Sequence, residues 1–559
     1  MTAAPTIKSE SIEAETNAAD TIDVSVLVIG GSIVGISSAM FLAQHGVDVL
    51  SIEKHDGTAI HPRAGYFQLR TIELMRVAGI EDRVRAASLE LYDPDGGLNN
   101  VETLAGKEIA NYIPNINGGI ADISPARRLF MPQQVLEPIL LQRAKEFGAT
   151  FMYSTELVEH TQDDDGVTAR VRRLTDGKEY IIRAKYMVAC DGNRSPVRER
   201  LGIAMSGHGL LSHSVTIYFR ADCSAALAGR NFGVIYVTNP NVRGFFRLEK
   251  TGLGGFLVVF TVGDINKPGA RHVADTITDE QAIKLVRDAV GDSDLRVELR
   301  AVDKWRAVAD NAVTYQHGRV LIAGDAAHTM PPTGGFGGNT GVQDAHNLAW
   351  KLAIVLRSQA GAGLIDTYNA ERQPAGYQAV EQAYNRYVLR SDPDLGTAGM
   401  HDAIPDPHVE YNRYRSTAVI PDSGFVDDGK LDIDPRLSRG MPGTRAPHVE
   451  LEHNGTTIST LDLYLGDFVL MGGPDGAAWL AAAATVSATL GVTIQAYQIG
   501  RDALHQHPTE GVAPFIETYG IGPTGASLVR PDGYVAWRAA NDSSAANLLD
   551  IVRQVLSLR

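Results

Sequence analysis

Cysteine is almost missing: the chain has two in 559 residues, Cys190 and Cys223, in neither a CxxC pair nor a cluster with metal-ligand spacing. That excludes a disulfide scaffold and points to a reducing, cytoplasmic compartment. Positive charge is short as well, with 51 Lys and Arg against 66 Asp and Glu and a formal charge of −15. A nucleic-acid partner calls for a basic face that displaces counterions from phosphates, so none is expected. Long apolar runs are also absent. The most apolar stretch, 477–490, is Ala-rich, interrupted by Thr and Ser, and shorter than the ~20 residues needed to cross lipid, so no membrane partner is expected either. Residues 1–22 carry Glu10, Glu13, Glu15 and Asp20 with no apolar run, unlike a basic-then-hydrophobic export signal, and read as a disordered tail.

What is present is an ordinary apolar content, 44%, which excludes whole-chain disorder. At roughly 150 residues per domain the length suggests about three domains. Glycine is in excess: 56 residues, about a tenth of the chain, against a usual ~7%. Its placement separates loose loops from backbone pressed against a ligand.

Val24–Ile29 is a short apolar run, as a strand buried on both faces would be. A glycine turn, a helix-like segment from Ile33 to His45 and a second strand from Val47 to Glu53 follow, which is a βαβ unit. Tyr186–Cys190 and Val320–Ala323 are further short strands expected to complete a parallel sheet. Between about 205 and 305 the strands become longer, alternating and aromatic, as in an inserted antiparallel sheet. That stretch includes a hairpin around Gly252-Leu-Gly-Gly255 and a helix at Asp279–Val290 with a Thr278/Gln281 capping box. A Pro- and Asp-rich stretch, 391–445, reads as a linker over the surface. The final residues carry a βαβ…ββα pattern with a hairpin around Pro531-Asp-Gly533.

Three motifs carry the chemistry. Gly30-Gly-Ser-Ile-Val-Gly35 follows the first strand and fits a dinucleotide turn, with Ser32 where a glycine is usual. Glu53, at the end of the second strand, stands where an acid binds a ribose 2′-OH and would repel a 2′-phosphate, favouring FAD or NAD. A plain tight turn remains the alternative. Asp191-Gly-Asn-Arg-Ser-Pro-Val-Arg198 follows another strand and by itself reads better as a surface turn with a Ser/Pro helix start. Gly324-Asp-Ala-Ala-His328 leads into a glycine-rich loop ending at Gly341, before a helix with apolar residues at Val342, Ala345, Leu348, Ala349 and Leu352. So dense a glycine run favours backbone contact with a planar ligand.

Together, over about residues 23–390, these motifs resemble the group A flavoprotein monooxygenases, the para-hydroxybenzoate hydroxylase-like aromatic hydroxylases. The resemblance implies that Gly30, Ser32, Gly35 and Glu53 hold the ADP half of FAD, Arg63 of His61-Pro-Arg-Ala-Gly65 lies near its phosphates, and Gln133 of Pro132-Gln-x-x-Leu-Glu137 lies near the ribityl chain. Asp191, Gly192 and Arg198 take the DG motif's role in FAD and NAD(P)H handling. Asp325 binds ribityl hydroxyls, while Pro332 and the backbone of Gly337, Gly338, Asn339 and Thr340 line the isoalloxazine pocket. The last domain is similar to the thioredoxin-like C-terminal domain of the longer phenol and polyketide hydroxylases, without a CxxC.

The expected fold is therefore α/β: a discontinuous Rossmann-like FAD-binding domain (23–204 and 306–390), an inserted antiparallel β-sheet substrate domain (205–305), the linker (391–445) and a thioredoxin-like domain (446–559). The implied reaction consumes NADPH or NADH and O2 and hydroxylates a small phenolic or polycyclic, polyketide-like aromatic through a flavin C4a-hydroperoxide, in a monomer or homodimer. Baeyer–Villiger oxygen insertion on the same fold and a non-catalytic flavin-binding partner protein are the alternatives. Tyr218, Tyr236, Phe246 and Phe260 are candidate substrate residues, each equally readable as sheet core. His208, His213 and Tyr218 are the only candidates for catalysis, and a loop histidine is often incidental. Gly65 stands where phenol hydroxylase relatives can carry an ionisable residue, leaving room for a bulkier substrate.

Overall fold

The computed structural model describes residues 20–61, 65–260, 277–500, 504–506 and 513–558. The first apolar run becomes β1, Asp20–Ile29, which starts inside the stretch expected to be tail. Helix α1, Ile33–Gln44, returns the chain to β2, Val49–Ile52, which pairs parallel with β1. The sheet continues with β3 (Thr150–Met152) beside β2, β4 (Glu179–Ala189) on the other side of β1, and β5 (Val320–Ile322) beside β4, all parallel. Val26, Leu27 and Val28 are all fully buried. Helices cover both faces of such a sheet, which is why the strand reads as a continuous apolar run. The order β5-β4-β1-β2-β3 reverses between β1 and β4, and a doubly wound sheet takes its ligands at that reversal, beyond the strand ends.

A second, mostly antiparallel sheet of eight strands centres on Met205–Arg220, Phe232–Thr238, Arg243–Leu248, Gly254–Val259 and Glu298–Ala312. It is larger than the 205–305 insertion, because Gly97–Val101, Glu108–Ile113 and His328–Thr329 also join it. Successive side chains alternate between its faces. On the far face Val215, Ile217, Phe219, Ile235, Phe246, Leu257 and Val259 pack on the Asp279–Val290 helix, whose Thr278 capping box and Gly291 terminator (φ +85°) form as expected. The near face presents Tyr218, Tyr236, Phe245, Phe256 and Val258, joined by Phe260, toward Val380, Tyr384 and Tyr387.

Two expectations change here. Phe246 lies in the core behind the sheet, and His213, two residues before Val215 on the same strand, alternates onto that far face as well. Neither points toward the near side.

The helices Phe336–Leu356 (α2) and Gly363–Arg390 (α3) pack on one another and carry many buried polar side chains. The 391–445 stretch is not a surface strap, since Glu410, Tyr411, Asn412, Arg413 and Tyr414 are all buried. Beyond it Phe468–Gly472, a helix at Ala477–Leu490 and Ile494–Gln498 form a parallel βαβ unit, and Ala526–Val529 and Val535–Ala539 extend its sheet antiparallel.

The turn of that last hairpin enters the body. Arg530 donates to both oxygens of Glu371 at 2.6 and 2.9 Å, and Lys351 Nζ reaches Glu371 at 2.8 Å. Asp532 accepts from Trp350 Nε1 at 3.2 Å and Asn347 Nδ2 at 3.3 Å, while its carbonyl accepts from Arg70 at 2.5 Å. Burial alone would raise Glu371, but Arg530 and Lys351 hold its carboxyl well below the usual range. No described helix is long and apolar enough to cross a membrane.

Candidate functional site

At the reversal of the parallel sheet the backbones touch. A Cβ on Gly30 (φ +112°) would stand 2.3 Å from the Cys190 carbonyl oxygen, and one on Gly35 would stand 1.8 Å from the Gly30 oxygen. These glycines let α1 start directly against β1 and β4, which is the packing half of the dinucleotide fingerprint. Ser32 is the N-cap of α1 yet makes no side-chain cap. Its hydroxyl donates to Glu137 Oε1 at 2.7 Å and accepts from Gln133 Nε2 at 2.8 Å, and Gln133 also reaches Glu137 at 2.6 Å. The fully buried Glu137 thus joins Ser32, Gln133 and the Ala59 amide (2.6 Å). It lies within the quoted glutamine motif but drew no role there, because nothing local predicts a carboxylate at the core. Glu53, at the end of β2, accepts from the amides of Gly31 at 2.6 Å and His55 at 2.9 Å. Arg63 lies outside the described residues.

Asp191 follows β4 and accepts from Ser195 Oγ at 2.5 Å and the Val197 amide at 3.1 Å, so it organises the start of the Pro196–Arg200 helix. Burial raises its carboxyl above the ordinary value despite those donors. Gly192 is left-handed (φ +83°) with open space where a side chain would go. The buried Arg198 donates to the Ala326 carbonyl at 2.9 Å, tying this turn to the Gly324–Ala326 turn after β5.

There Asp325 and Pro332 are exposed, while Gly337 and Gly338 are half-buried. Gly334 and Gly335, at φ +89° and +67°, turn the chain into α2, whose N-terminus has no side-chain cap. Asn339 fixes the turn by donating to the carbonyls of Tyr66 (3.0 Å) and Gly335 (2.6 Å) and accepting from the Gln68 amide (2.9 Å). Thr340 is buried and its carbonyl accepts from Arg372 at 3.1 Å. A Cβ on Gly341 would lie 2.4 Å from Val34 Cγ2 and 3.1 Å from Gly324 Cα. The starts of α1 and α2 and the Gly-Asp turn therefore meet at one place.

Behind them is a buried set that motif reading missed. Asp344 Oδ2 lies 2.7 Å from His328 Nε2 and accepts from the Gly324 amide at 3.1 Å, and Oδ1 accepts from Arg372 Nε at 2.8 Å. Burial would raise Asp344, but Arg372 and His328 hold it down. The available signal was Asp344, Asn347 and Lys351 recurring at helical spacing beside the apolar positions Val342, Ala345, Leu348, Ala349 and Leu352.

The near face of the antiparallel sheet brings Tyr218, Tyr236 and Phe260 to this side. Tyr218 stacks on His61 at 4.9 Å between ring centroids, and Phe260 meets Tyr387 edge-on at 5.2 Å. His208 is committed to α3: its Nε2 lies 3.0 Å from Glu381 Oε1 and its ring stacks on Tyr384 at 3.6 Å. A cleft of about 420 Å³, lined by Ile113, Arg128, Asn385, Arg386, Arg390 and Asp406, opens beside the near face.

Comparison with known proteins agrees with this arrangement. Residues 23–383 match the FAD binding domain family, and 439–557 match the aromatic-ring hydroxylase C-terminal family. The chain is 48% identical to a 4-methyl-5-nitrocatechol 5-monooxygenase of a Burkholderia species, over 96% of this chain and 98% of that one. It is 38% identical to a tetracenomycin B2 monooxygenase-dioxygenase of Streptomyces olivaceus, over 94% and 96%. The crystal structure of a ternary complex of aklavinone-11 hydroxylase with FAD and aklavinone superposes with a TM-score of 0.88 at 38% identity, covering 96% of this chain and 99% of that one. The chain belongs to the FAD-dependent aromatic-ring hydroxylases and is a flavoprotein aromatic monooxygenase.

Proposed function

We propose that the chain hydroxylates the ring of a phenolic substrate, placing one oxygen atom of O2 in a ring C–H bond and releasing the other as water, with NADH or NADPH as reductant. The observation that carries this reading is the meeting of two uncapped helix starts and the Gly-Asp turn under an aromatic sheet face. Bound FAD would supply the redox and oxygen chemistry. The residues fit it: free amides at the starts of α1 and α2 suit a pyrophosphate and an electron-rich ring edge. Gly30, Ser32, Gly35 and Glu53 would hold the adenosine half, with Arg63 near the phosphates. Gln133 and Asp325 would take the ribityl hydroxyls, and Pro332 with Gly337, Gly338, Asn339 and Thr340 the ring. Asp191, Gly192 and Arg198 shape the turn between them.

Tyr218, Tyr236 and Phe260 would roof a planar substrate and keep water from it. The relative at 48% identity acts, by its name, on a nitrocatechol, which favours a substituted phenol or catechol over a polycyclic polyketide. The C-terminal unit is thioredoxin-like on this reading. Its support is a four-stranded sheet in which Phe468–Gly472 and Ala526–Val529 are central, with Ile494–Gln498 outermost on the parallel side. Its role is to brace α2 and α3 through Arg530 and Asp532. The units follow the limits 23–204 with 306–390 for the cofactor domain and 446–559 for the C-terminal unit, while the sheet centred on 205–305 also takes strands from outside those limits and part of 391–445 is buried.

The test is NADH and NADPH oxidation, O2 uptake and product mass with a panel of catechols, phenols and anthraquinones. Stimulated oxidation and a product heavier by one oxygen with its ring intact are expected. A flavin-loaded protein that no aromatic stimulates would be a binding partner only, and a ring-expanded product would mean Baeyer–Villiger chemistry. Asp325→Ala should lose flavin on dialysis, and undiminished flavin content would contradict that residue's role.

A further inference from the structure

The two helix starts at the cofactor end of the fold lack a side-chain cap for different reasons. At α2 the N-cap is Gly335, which has no side chain to offer. At α1 it is Ser32, a residue type that ordinarily caps its own helix by accepting from the amides of the first turn. The Ser32 backbone is already set for that role. It is extended at φ −94° and ψ −172°, and its carbonyl accepts the first helical bond from the Ile36 amide at 2.8 Å. Only the hydroxyl is turned elsewhere, so something holds it off.

The group that holds it is Glu137. Gln133, Glu137, Leu140 and Ala144 recur at helical spacing among the buried residues of the Gln133–Glu146 helix, which packs on α1. A carboxylate in such a stripe is costly unless its oxygens are engaged. Among the described residues no cation pairs with Glu137, and three neutral donors serve it instead. Oε2 accepts from the Ala59 amide at 2.6 Å, while Oε1 accepts from the Ser32 hydroxyl at 2.7 Å and from Gln133 Nε2 at 2.6 Å. Gln133 Nε2 also donates to Ser32 Oγ at 2.8 Å. A hydroxyl bonds an ionised acceptor more strongly than a neutral one, so the Ser32 proton stays with Glu137. Gln133 meanwhile meets the oxygen that would otherwise face the α1 amides.

We infer that Glu137 is a positioning residue for the flavin: it holds the Ser32 hydroxyl off α1 and so keeps the first amides of that helix free for the cofactor's pyrophosphate. This deepens the functional reading and rests on it. A glycine at this position of the dinucleotide turn leaves the amides open because it has no side chain. With Ser32 in its place, the contact to Glu137 restores the opening.

The test has two readouts on the full chain: titration of apoprotein with FAD, and hydrogen exchange of residues 30–36 in the FAD-free protein, followed by mass spectrometry. Glu137→Met frees the Ser32 hydroxyl to cap α1. Its loss of FAD affinity should exceed, by about fivefold, the loss from the same replacement in a Ser32→Ala background, where no hydroxyl can turn in. Removing a carboxylate beside an anion site tightens binding by charge alone, so weakening runs against the charge change. Exchange of the first-turn amides should slow in Glu137→Met and not in Ser32→Ala/Glu137→Met, whereas a merely loosened turn would exchange faster. A difference between the two backgrounds below about twofold in FAD affinity would overturn the proposal, assigning Glu137 to Gln133 or to the fold alone. Exchange in Glu137→Met as fast as in the unaltered protein, or faster, would overturn it as well. Should Glu137→Met not fold, Glu137→Asp, which keeps the charge but withdraws it from Ser32, is held to the same two outcomes. Failure of the unaltered apoprotein to bind FAD would instead remove the functional reading.

Discussion

Replacing Asp344 with Asn tests whether the buried set behind the Gly-Asp turn holds the cofactor end in shape. The carboxylate faces three donors, His328 Nε2, the Gly324 amide and Arg372 Nε, and it is fully buried. Arg372 also holds the Thr340 carbonyl, so releasing Asp344 loosens the Gly324 turn and the first turn of α2 together. Removing one charge from a buried pair costs about 3–5 kcal/mol. Asn keeps one acceptor oxygen but turns an amide NH2 toward the remaining donors, so a cost near 3 kcal/mol is expected. At ~1.4 kcal/mol per tenfold, a loss falling wholly on the bound state weakens FAD by about 100-fold. The assay is titration of apoprotein with FAD by flavin fluorescence, alongside denaturant unfolding of the same apoprotein. Less tight FAD with apoprotein stability lowered by a smaller amount is expected. Wild-type values for both would refute the reasoning, because they would mean the carboxylate does no more than an amide there.

The His346 ring is buried at the α1–α2 contact, edge-on to Phe41, and burial with nearby Arg70 and His45 holds its pKa well below 6.5. The unfolded chain therefore takes up a proton below pH ~6.5 that the native state refuses. Stability present above that pH is lost as the pH falls, by up to ~1.4 kcal/mol per unit for this group. His346→Gln should flatten the decline between pH 7 and 5 in denaturant unfolding, and an identical decline in both proteins would contradict the assignment. Arg530→Met removes the only buried cation that bridges Glu371 and Asp532 from the C-terminal side among the described residues, at about 3–5 kcal/mol. Limited proteolysis should then release the 446–559 unit faster, whereas an unchanged cleavage rate would show that the hairpin is not the anchor.

The parallel core was legible because its signals are local: short apolar runs, a glycine turn and a helix within one βαβ unit. Gly35 could be placed because the packing it permits lies five residues from Gly30. What failed depends on distant surfaces. On Arg243–Leu248 an aromatic was chosen one residue from the near face, and with a period of two that choice selects the wrong side and passes over Phe245 and Arg247. His213 failed for the same reason. Gly97–Val101 did not read as a strand since Asn99 and Asn100 are polar, and Asn100 finds its partners, Tyr112 and Thr238, only on the strands that pair on either side. Glu137, Asp344 and Glu371 were invisible because a buried carboxylate is explained by partners far away in sequence.

The contact between Arg530 and Glu371 spans 159 residues. Synthesis at ~5–20 residues per second places the two halves of that ion pair about 10–30 s apart on the ribosome. Until Arg530 and Asp532 emerge, α2 and α3 carry the Lys351–Glu371 pair and Trp350 without the partners that complete their hydrogen bonds and cover them. A nascent chain is thus complete in its glycine turns long before its central helices are locked, and lasting uptake of flavin is expected only once Arg530 and Asp532 have emerged. A message cut short after residue 445 should therefore yield the glycine turns without the hairpin that locks the helices behind them.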